Sequence, residues 1–310
     1  MLTNEYKLLY PVYNYDRHEI LPAGVILTEK ILNGLKKSNK VVFDNRLMKL
    51  MDFGSLNKDI REFISQPPYD TIFSDTKKIE DILAVMGRVQ MVYPVLESME
   101  YFKEKDFYTY RHMLLVFAVS VLLSQELLNN SQDLTAGAMA SPAHDFGKIS
   151  IPMDILKKKT SLTESERRWI EHHTIAGYIL LQYFMRDFGE LPSRIARDHH
   201  ERLNGKGYPQ GIHLKNPLVE IVVVTDIYDA LISPRPYRPE SYDNRTALEE
   251  ICAKAERGEI RWDVVKALIS VNRKNRPHYS QCSISNEKRG VPPSHNVYGT
   301  TIPDSISGQS

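Results

Sequence analysis

Across residues 78–276 apolar side chains recur at the three- and four-residue intervals of a helix, as at Ile79, Ile82, Leu83 and Met86 and again at Leu114, Leu115, Ala118 and Leu122. Strand signals are few there, so this region reads as a mainly helical unit. One segment tests the reading. Ile221, Val222, Val223 and Val224 form a β-branched run that propensity alone would make a strand. The apolar positions continue at Ile227, Ala230 and Leu231, which favours a buried helix. The longest apolar run, 113–123, lies between Arg111–His112 and Gln125–Glu126. It is too short to span a bilayer and reads as another buried helix.

The flanks differ from this region. In residues 1–77 the short β-favouring runs KLLYPVY, GVIL and VVF alternate with a helical piece at 28–37, where Thr28 can cap and Ile31 and Leu35 share a face. This reads as a small α+β module ending near the proline pair of ISQPPYD, 64–70. Residues 277–310 are rich in Ser, Pro and Gly without periodicity, which predicts a flexible tail. The expected fold class is therefore mainly α, a helical bundle at 78–276 with a small N-terminal α+β domain.

A net charge of +1 over 310 residues gives no global reason to bind a nucleic-acid polymer or an acidic membrane. Any anionic ligand must be drawn by a local cluster. The two cysteines, Cys252 and Cys282, form no ligand-like pair, and the N-terminal residues lack the pattern of a signal peptide. A reducing cytoplasm and no membrane insertion are the expectation.

Chemistry concentrates in a narrow window. Of the 10 histidines, His112, His144, His172, His173, His199 and His200 fall between positions 112 and 200. His144 is joined to Asp145 in HDFGK, and VVVTD ends an apolar run on Asp226. Neutral imidazoles with carboxylates suit Fe, Mn or Zn rather than Ca. Neighbouring His172 and His173 would point about 100° apart on a helix, so only one of them reaches a common site. His18, His213, His278 and His295 lack such company and read as surface residues.

On a helix, Lys148 lies one turn beyond His144 and within reach of Asp145; a surface ion pair is the competing reading. In HHERLNGKGYP, Gly205 and Gly207 allow a sharp turn and Pro209 stiffens its exit, which can aim Tyr208 at a site beside His199 and His200. The alternative is a surface turn with Tyr208 packed as a plug.

Taken in order, DFYTYRH (106–112), HDFGKISIP (144–152), LTESERRWIEHHTIAG (162–177), HHERLNGKGYPQGI (199–212) and VVVTDIYDALISPRPYR (222–238) resemble the HD-GYP family of the HD phosphohydrolase superfamily. The resemblance covers roughly 106–269. It implies a helical domain that hydrolyses the bacterial second messenger cyclic di-GMP at a binuclear cluster of iron or manganese. Carried onto this chain, it makes His112, His144, Asp145 and Asp226 ligands of one ion and His173, His199 and His200 ligands of the other, with Asp145 bridging. Glu201 is a candidate partner for an imidazole N–H. A hydroxide shared by two ions would attack phosphorus in line with the leaving ribose 3′-oxygen, with Lys148 stabilising the phosphoryl charge. Tyr208, Arg235 and Arg238 would bind the substrate phosphates. The product would be pGpG, with GMP left open beyond it.

This chain departs from the family pattern in places. Tyr108 stands where some members carry a glutamate that holds a third metal, so two ions are expected. Leu115, Asn204 and Pro142 also differ from common family residues, and their position around the site implies slow turnover. Two alternatives follow: a metal-stabilised sensor or adaptor that binds a cyclic dinucleotide without useful turnover, and a hydrolase of another cyclic dinucleotide. Protein partners would dock on the N-terminal module or the GYP loop.

Overall fold

The computed structural model describes residues 6–38, 47–128, 141–185, 190–235, 240–285, 287–294 and 301–304. The chain is mainly helical, with short two-residue and three-residue strands concentrated at its start. Tyr6–Lys7 pairs antiparallel with Ile26–Leu27, and Val12–Tyr13 with Glu19–Leu21. Helix α1 (Glu29–Ser38) follows, its first turn closed by the Thr28 hydroxyl, which accepts the Ile31 amide at 3.3 Å. The VVF run expected as a strand lies outside the described residues.

Helices α2 (Leu56–Ile64), α3 (Thr76–Met86) and α4 (Tyr93–Lys105) lead into the central helix α5 (Phe107–Leu127). By length and composition α5 could cross a membrane, yet its apolar stretch is 83% buried within the protein. Every residue from His112 to Ser124 is buried, so this helix has no solvent face there and forms the centre of the core. Each fully buried aliphatic side chain contributes roughly 1.5–3 kcal/mol, which fixes α5 against its neighbours.

Helix α6 (Glu164–Glu171) starts on a capping box, with Thr163 and Glu166 satisfying each other's amides. Helices α7 (His173–Phe184) and α8 (Leu191–Asp198) pack together and are tied by Gln182 to Ser193. Helix α9 (Pro217–Ile232) begins with Asn216 accepting the Leu218 and Val219 amides and Pro217 in the first turn. The β-branched run is therefore helical: with a cap in place and apolar partners on all sides, tertiary burial overrides β propensity. The Ser120 and Thr225 hydroxyls, 2.8 Å apart, join α5 to α9. Helices α10 (Asn244–Glu256) and α11 (Trp262–Val271) complete the bundle.

One buried cluster includes Leu8, Val12 and Leu27 of the first strands together with the central helices. Polar contacts cross the same boundary. Ser150 donates its hydroxyl to the Tyr13 carbonyl and accepts the Tyr13 amide, and Tyr10 stacks on Trp169 at 4.0 Å. Where described, the segment expected to be a flexible tail makes fixed contacts. Thr301–Ile302 pairs with Leu162–Thr163, and the Arg289 and Gly290 amides donate to Glu249.

Candidate metal centre

The histidine and aspartate side chains reach one place because local structure starts each carrier at a set point. Asp106 caps α5, accepting the Thr109 hydroxyl at 2.6 Å, and His112 follows on the second turn. His144 and Asp145 precede a tight 3-10 turn, Phe146–Ser150. The sequence expectation of an α-helical HDFGK is thus corrected: three residues per turn bring Lys148 to Asp145, Nζ to Oδ2 2.5 Å, rather than back over His144. Gly147 explains how this turn seats against α7. A Cβ there would lie 1.9 Å from the His173 carbonyl oxygen and 2.3 Å from the Gly177 nitrogen. His173 opens α7, His199 and His200 follow α8, and Asp226 sits in the third turn of α9.

These residues form two adjoining groups, His112–His144–Asp226 and His173–His199–His200, each with donor atoms close enough to hold one ion. In the first, His112 Nε2 is 3.4 Å from His144 Nε2 and 3.1 Å from Asp226 Oδ1. In the second, His173 Nε2 is 3.2 Å from His199 Nε2. Asp145 stands between them. Its Oδ2 is 3.4 Å from His112 Nε2 and 3.5 Å from His144 Nε2, while its Oδ1 is 3.5 Å from His173 Nε2 and 3.8 Å from His199 Nε2.

The imidazole tautomers are set from behind. His112 Nδ1–H donates to Asp229 Oδ2 at 2.5 Å, His199 Nδ1–H to the Ala196 carbonyl at 2.9 Å, and His173 Nδ1–H to the Ile170 carbonyl. Each therefore turns Nε2 to the pocket, and His173 and His199, which burial keeps neutral, present it bare, the form that ligates metal. The close approach of His173 and His199 is then lone pair against lone pair, an arrangement that a cation stabilises. Nitrogens about 2.1 Å from one ion are separated by distances of this order. The donor set and its convergence fit a divalent metal in each group.

Burial and charge distinguish the groups. Burial alone would lower His112, but Asp229, Asp145 and Asp226 together push it up to about 10. Burial takes His173 down to about 3 and His199 to about 4, and holds His200 well below its usual range. Burial would raise Asp145 and Asp226, yet Lys148 and the imidazoles around them keep both well below the ordinary carboxylate range.

The turn after His200 behaves as its glycines suggest. Tyr208 stacks on the His200 ring, centroids 4.6 Å apart and planes 16° apart. At Gly207 a Cβ would come within 2.3 Å of the His200 carbonyl oxygen, so glycine lets this loop close on the pocket. Glu201 does not hold an imidazole. Its carboxylate accepts the Gln210 and Ile212 amides at 2.7 and 3.0 Å, and these loop amides satisfy it.

On the other side, the Arg235 guanidinium lies 4.9 Å from the centre of the Tyr108 ring, which is nearly parallel to His112. Arg238 lies outside the described residues. His172 faces away from the pockets, buried edge-on against Tyr10 and Trp169. His18, His213 and His278 are exposed, and His295 is outside the described residues. Sequence reasoning missed Asp229. Its signal was a second aspartate three residues after Asp226, on the same helix face, with Ser233 four residues further on.

The family described as HD domain matches residues 95–262 of this chain. Similar curated proteins include a cyclic di-GMP phosphodiesterase response regulator of Xanthomonas campestris pv. campestris, 38% identical over 141 residues, or 45% of this chain and 37% of that protein. A cyclic di-GMP phosphodiesterase of Thermotoga maritima is 34% identical over 168 residues, covering 53% of this chain and 44% of that protein. A 3′3′-cGAMP-specific phosphodiesterase of Vibrio cholerae is 34% identical over 139 residues, covering 43% of this chain and 31% of that protein. The matched region is less than half the length of each of these relatives.

Proposed function

The chain belongs to the HD-domain family, with the motifs of its HD-GYP branch, and from that premise we propose that it is a metal-dependent phosphodiesterase that hydrolyses cyclic di-GMP. The observation that carries this reading is Asp145, one carboxylate oxygen turned to each group of ligands. His112, His144 and Asp226 would hold one ion and His173, His199 and His200 the other, with Asp145 shared. Two such ions, iron or manganese, supply the positive charge that makes water acidic enough to attack at neutral pH and that steadies the phosphoryl oxygens.

The chain's own groups do the rest. Lys148 spends one of its three N–H donors on Asp145, which keeps that carboxylate ionised and oriented; the other donors serve a phosphoryl oxygen. Arg235, carried on the Tyr108 ring, brings a second cation to the same mouth for the other phosphate. Tyr208 offers its ring and hydroxyl beside His200. In the reaction the bond between phosphorus and the ribose 3′-oxygen breaks, a new bond from phosphorus to the water oxygen forms, and the 3′-oxygen takes up a proton to give linear pGpG. The cGAMP-specific relative motivates a second substrate reading, a mixed cyclic dinucleotide handled by the same residues.

Turnover of cyclic di-GMP and 3′3′-cGAMP in metal-replete anaerobic buffer tests both readings. Wild type should hydrolyse at least one of them, and His144→Ala combined with Asp145→Ala should abolish it. If neither turns over while wild type binds nucleotide, the protein is a sensor rather than an enzyme, and equal turnover by the two would mean that the hydrolysis does not use this site.

A further inference from the structure

Tyr69 lies in the short helix Tyr69–Ile72, ahead of the matched HD region, and is completely buried. Its hydroxyl donates to Asp229 Oδ1 across 160 positions of sequence. That same oxygen accepts the Ser233 hydroxyl at 2.8 Å, and Ser233 in turn accepts from Arg111 Nη1 at 3.0 Å. The other oxygen, Oδ2, is left to the Nδ1–H of His112. Two hydroxyl donors on one oxygen hinder rotation of the carboxylate, so Asp229 keeps a fixed face toward the imidazole. The short helix is itself anchored. Arg276 Nη2 donates to the Thr71 carbonyl at 3.2 Å, the Ile72 carbonyl at 2.6 Å and the Ser74 hydroxyl at 2.9 Å.

We propose that Tyr69 is a positioning residue for the His112 pocket: through Asp229 it fixes the His112 ring so that Nε2 faces Asp145 and Asp226. This role rests on the reading of that pocket as a metal site. A tyrosine that merely filled the core would need its ring there but would not need to share a carboxylate with a ligand. The geometry makes a specific demand, namely that loss of the Tyr69 hydroxyl weakens one pocket and spares the other.

Binding of Mn²⁺ to the full chain, stripped of metal and titrated by calorimetry and by loss of the free-ion magnetic resonance signal, tests this without substrate. His144→Ala identifies which binding step belongs to the His112 pocket. Partners behind a metal ligand typically hold 10- to 100-fold of affinity, so Asp229→Asn should weaken that step by about this factor. Tyr69→Phe, one contact further out, should weaken it by about 3- to 10-fold. The His173–His199–His200 step should keep its affinity in both. If Tyr69 acts through Asp229, adding Tyr69→Phe to Asp229→Asn should cost nothing more.

Equal weakening of both steps, unchanged affinity, or additive losses in the double variant would each overturn the role. Should Tyr69→Phe fail to fold, 3-fluorotyrosine placed at position 69 alone keeps the ring while acidifying the hydroxyl. It must then shift the same step, and no shift overturns the role. Wild type taking up no Mn²⁺ overturns the metal reading, whereas two intact steps insensitive to Tyr69 overturn only the positioning.

Discussion

The two ligand groups share Asp145 but are assembled from different chemistry. The His112 group has its own carboxylate, Asp226, and a further carboxylate, Asp229, behind the imidazole. The His173 group is three imidazoles, of which His173 and His199 are braced by neutral backbone carbonyls. The consequence shows in the opposite displacement of two buried histidines: carboxylates push His112 up to about 10, while burial takes His173 down to about 3. Burial in itself therefore does not set the character of a ligand. The charge standing behind it does. The surroundings differ too, with Lys148 and Arg235 bordering the first group and Tyr208 lying over the second.

The largest effect should come from the one residue that joins the groups. Asp145→Ala removes an oxygen from each, so metal content should fall in both, measured by elemental analysis after gel filtration. Turnover should drop by more than the roughly hundredfold that loss of a supporting contact costs. The melting temperature should fall as well, because bound metal favours the native state by mass action. Loss confined to one ion would mean that Asp145 belongs to a single pocket and that the groups are independent.

The division between the groups also separates what the sequence displayed from what it hid. The motifs that carry the seven proposed ligands were legible, because histidines and aspartates gathered in short stretches stand out against an apolar helical background, and the resemblance to the HD-GYP family singled out the ligands within them. The small strands at the start and the helicity of 217–232 were readable from the pattern of apolar positions. Asp229 carried only the faint signal of its spacing from Asp226, and Tyr69 carried none, since its role exists only when residues 160 positions apart meet. The turn at 146–150 was misjudged because the motif alone does not reveal the backbone approach of Gly147 to His173 that tightens it. Glu201 was assigned to an imidazole because adjacency suggested it, whereas the loop it precedes supplies two amides.

The bordering residues sharpen the contrast at the level of substrate. Arg235 sits over Tyr108 beside the His112 group, and a guanidinium that is always charged is no metal ligand itself. Arg235→Ala should weaken cyclic di-GMP binding by about 1.5–3 kcal/mol, the range for a charge-assisted bond, while leaving metal content intact. Calorimetric titration of nucleotide into the metal-loaded variant measures it. Unchanged affinity would make Arg235 a structural cation, and lost metal would mean that it supports the pocket itself.

The smallest effect uses a third buried carboxylate on the same helix as a reference. Glu220 lies two turns before Asp226 on α9 and is as hidden, at 4% exposure, but it faces the Arg261 guanidinium, at 3.1 Å, with the Asp263 charge nearby, rather than a ring of imidazoles. Burial raises it from 4.5 to about 7, and the Arg261 charge opposes this only in part. Between those values the folded protein holds a proton that the unfolded chain has released. Glu220 therefore contributes most favourably below pH 4.5, and that contribution is lost as pH rises toward and through 7. The full shift corresponds to roughly 3 kcal/mol, and relaxation around the charge reduces the expected gain to about 1–2 kcal/mol. Glu220→Gln should accordingly stabilise the protein by that amount at pH 8 in urea unfolding and change little near pH 4.5, with metal content unaltered. A destabilised variant at pH 8 would show that Glu220 is held by its ion pair as firmly as Asp226 is held by its imidazoles, and the distinction between compensated and uncompensated burial on this helix would fail.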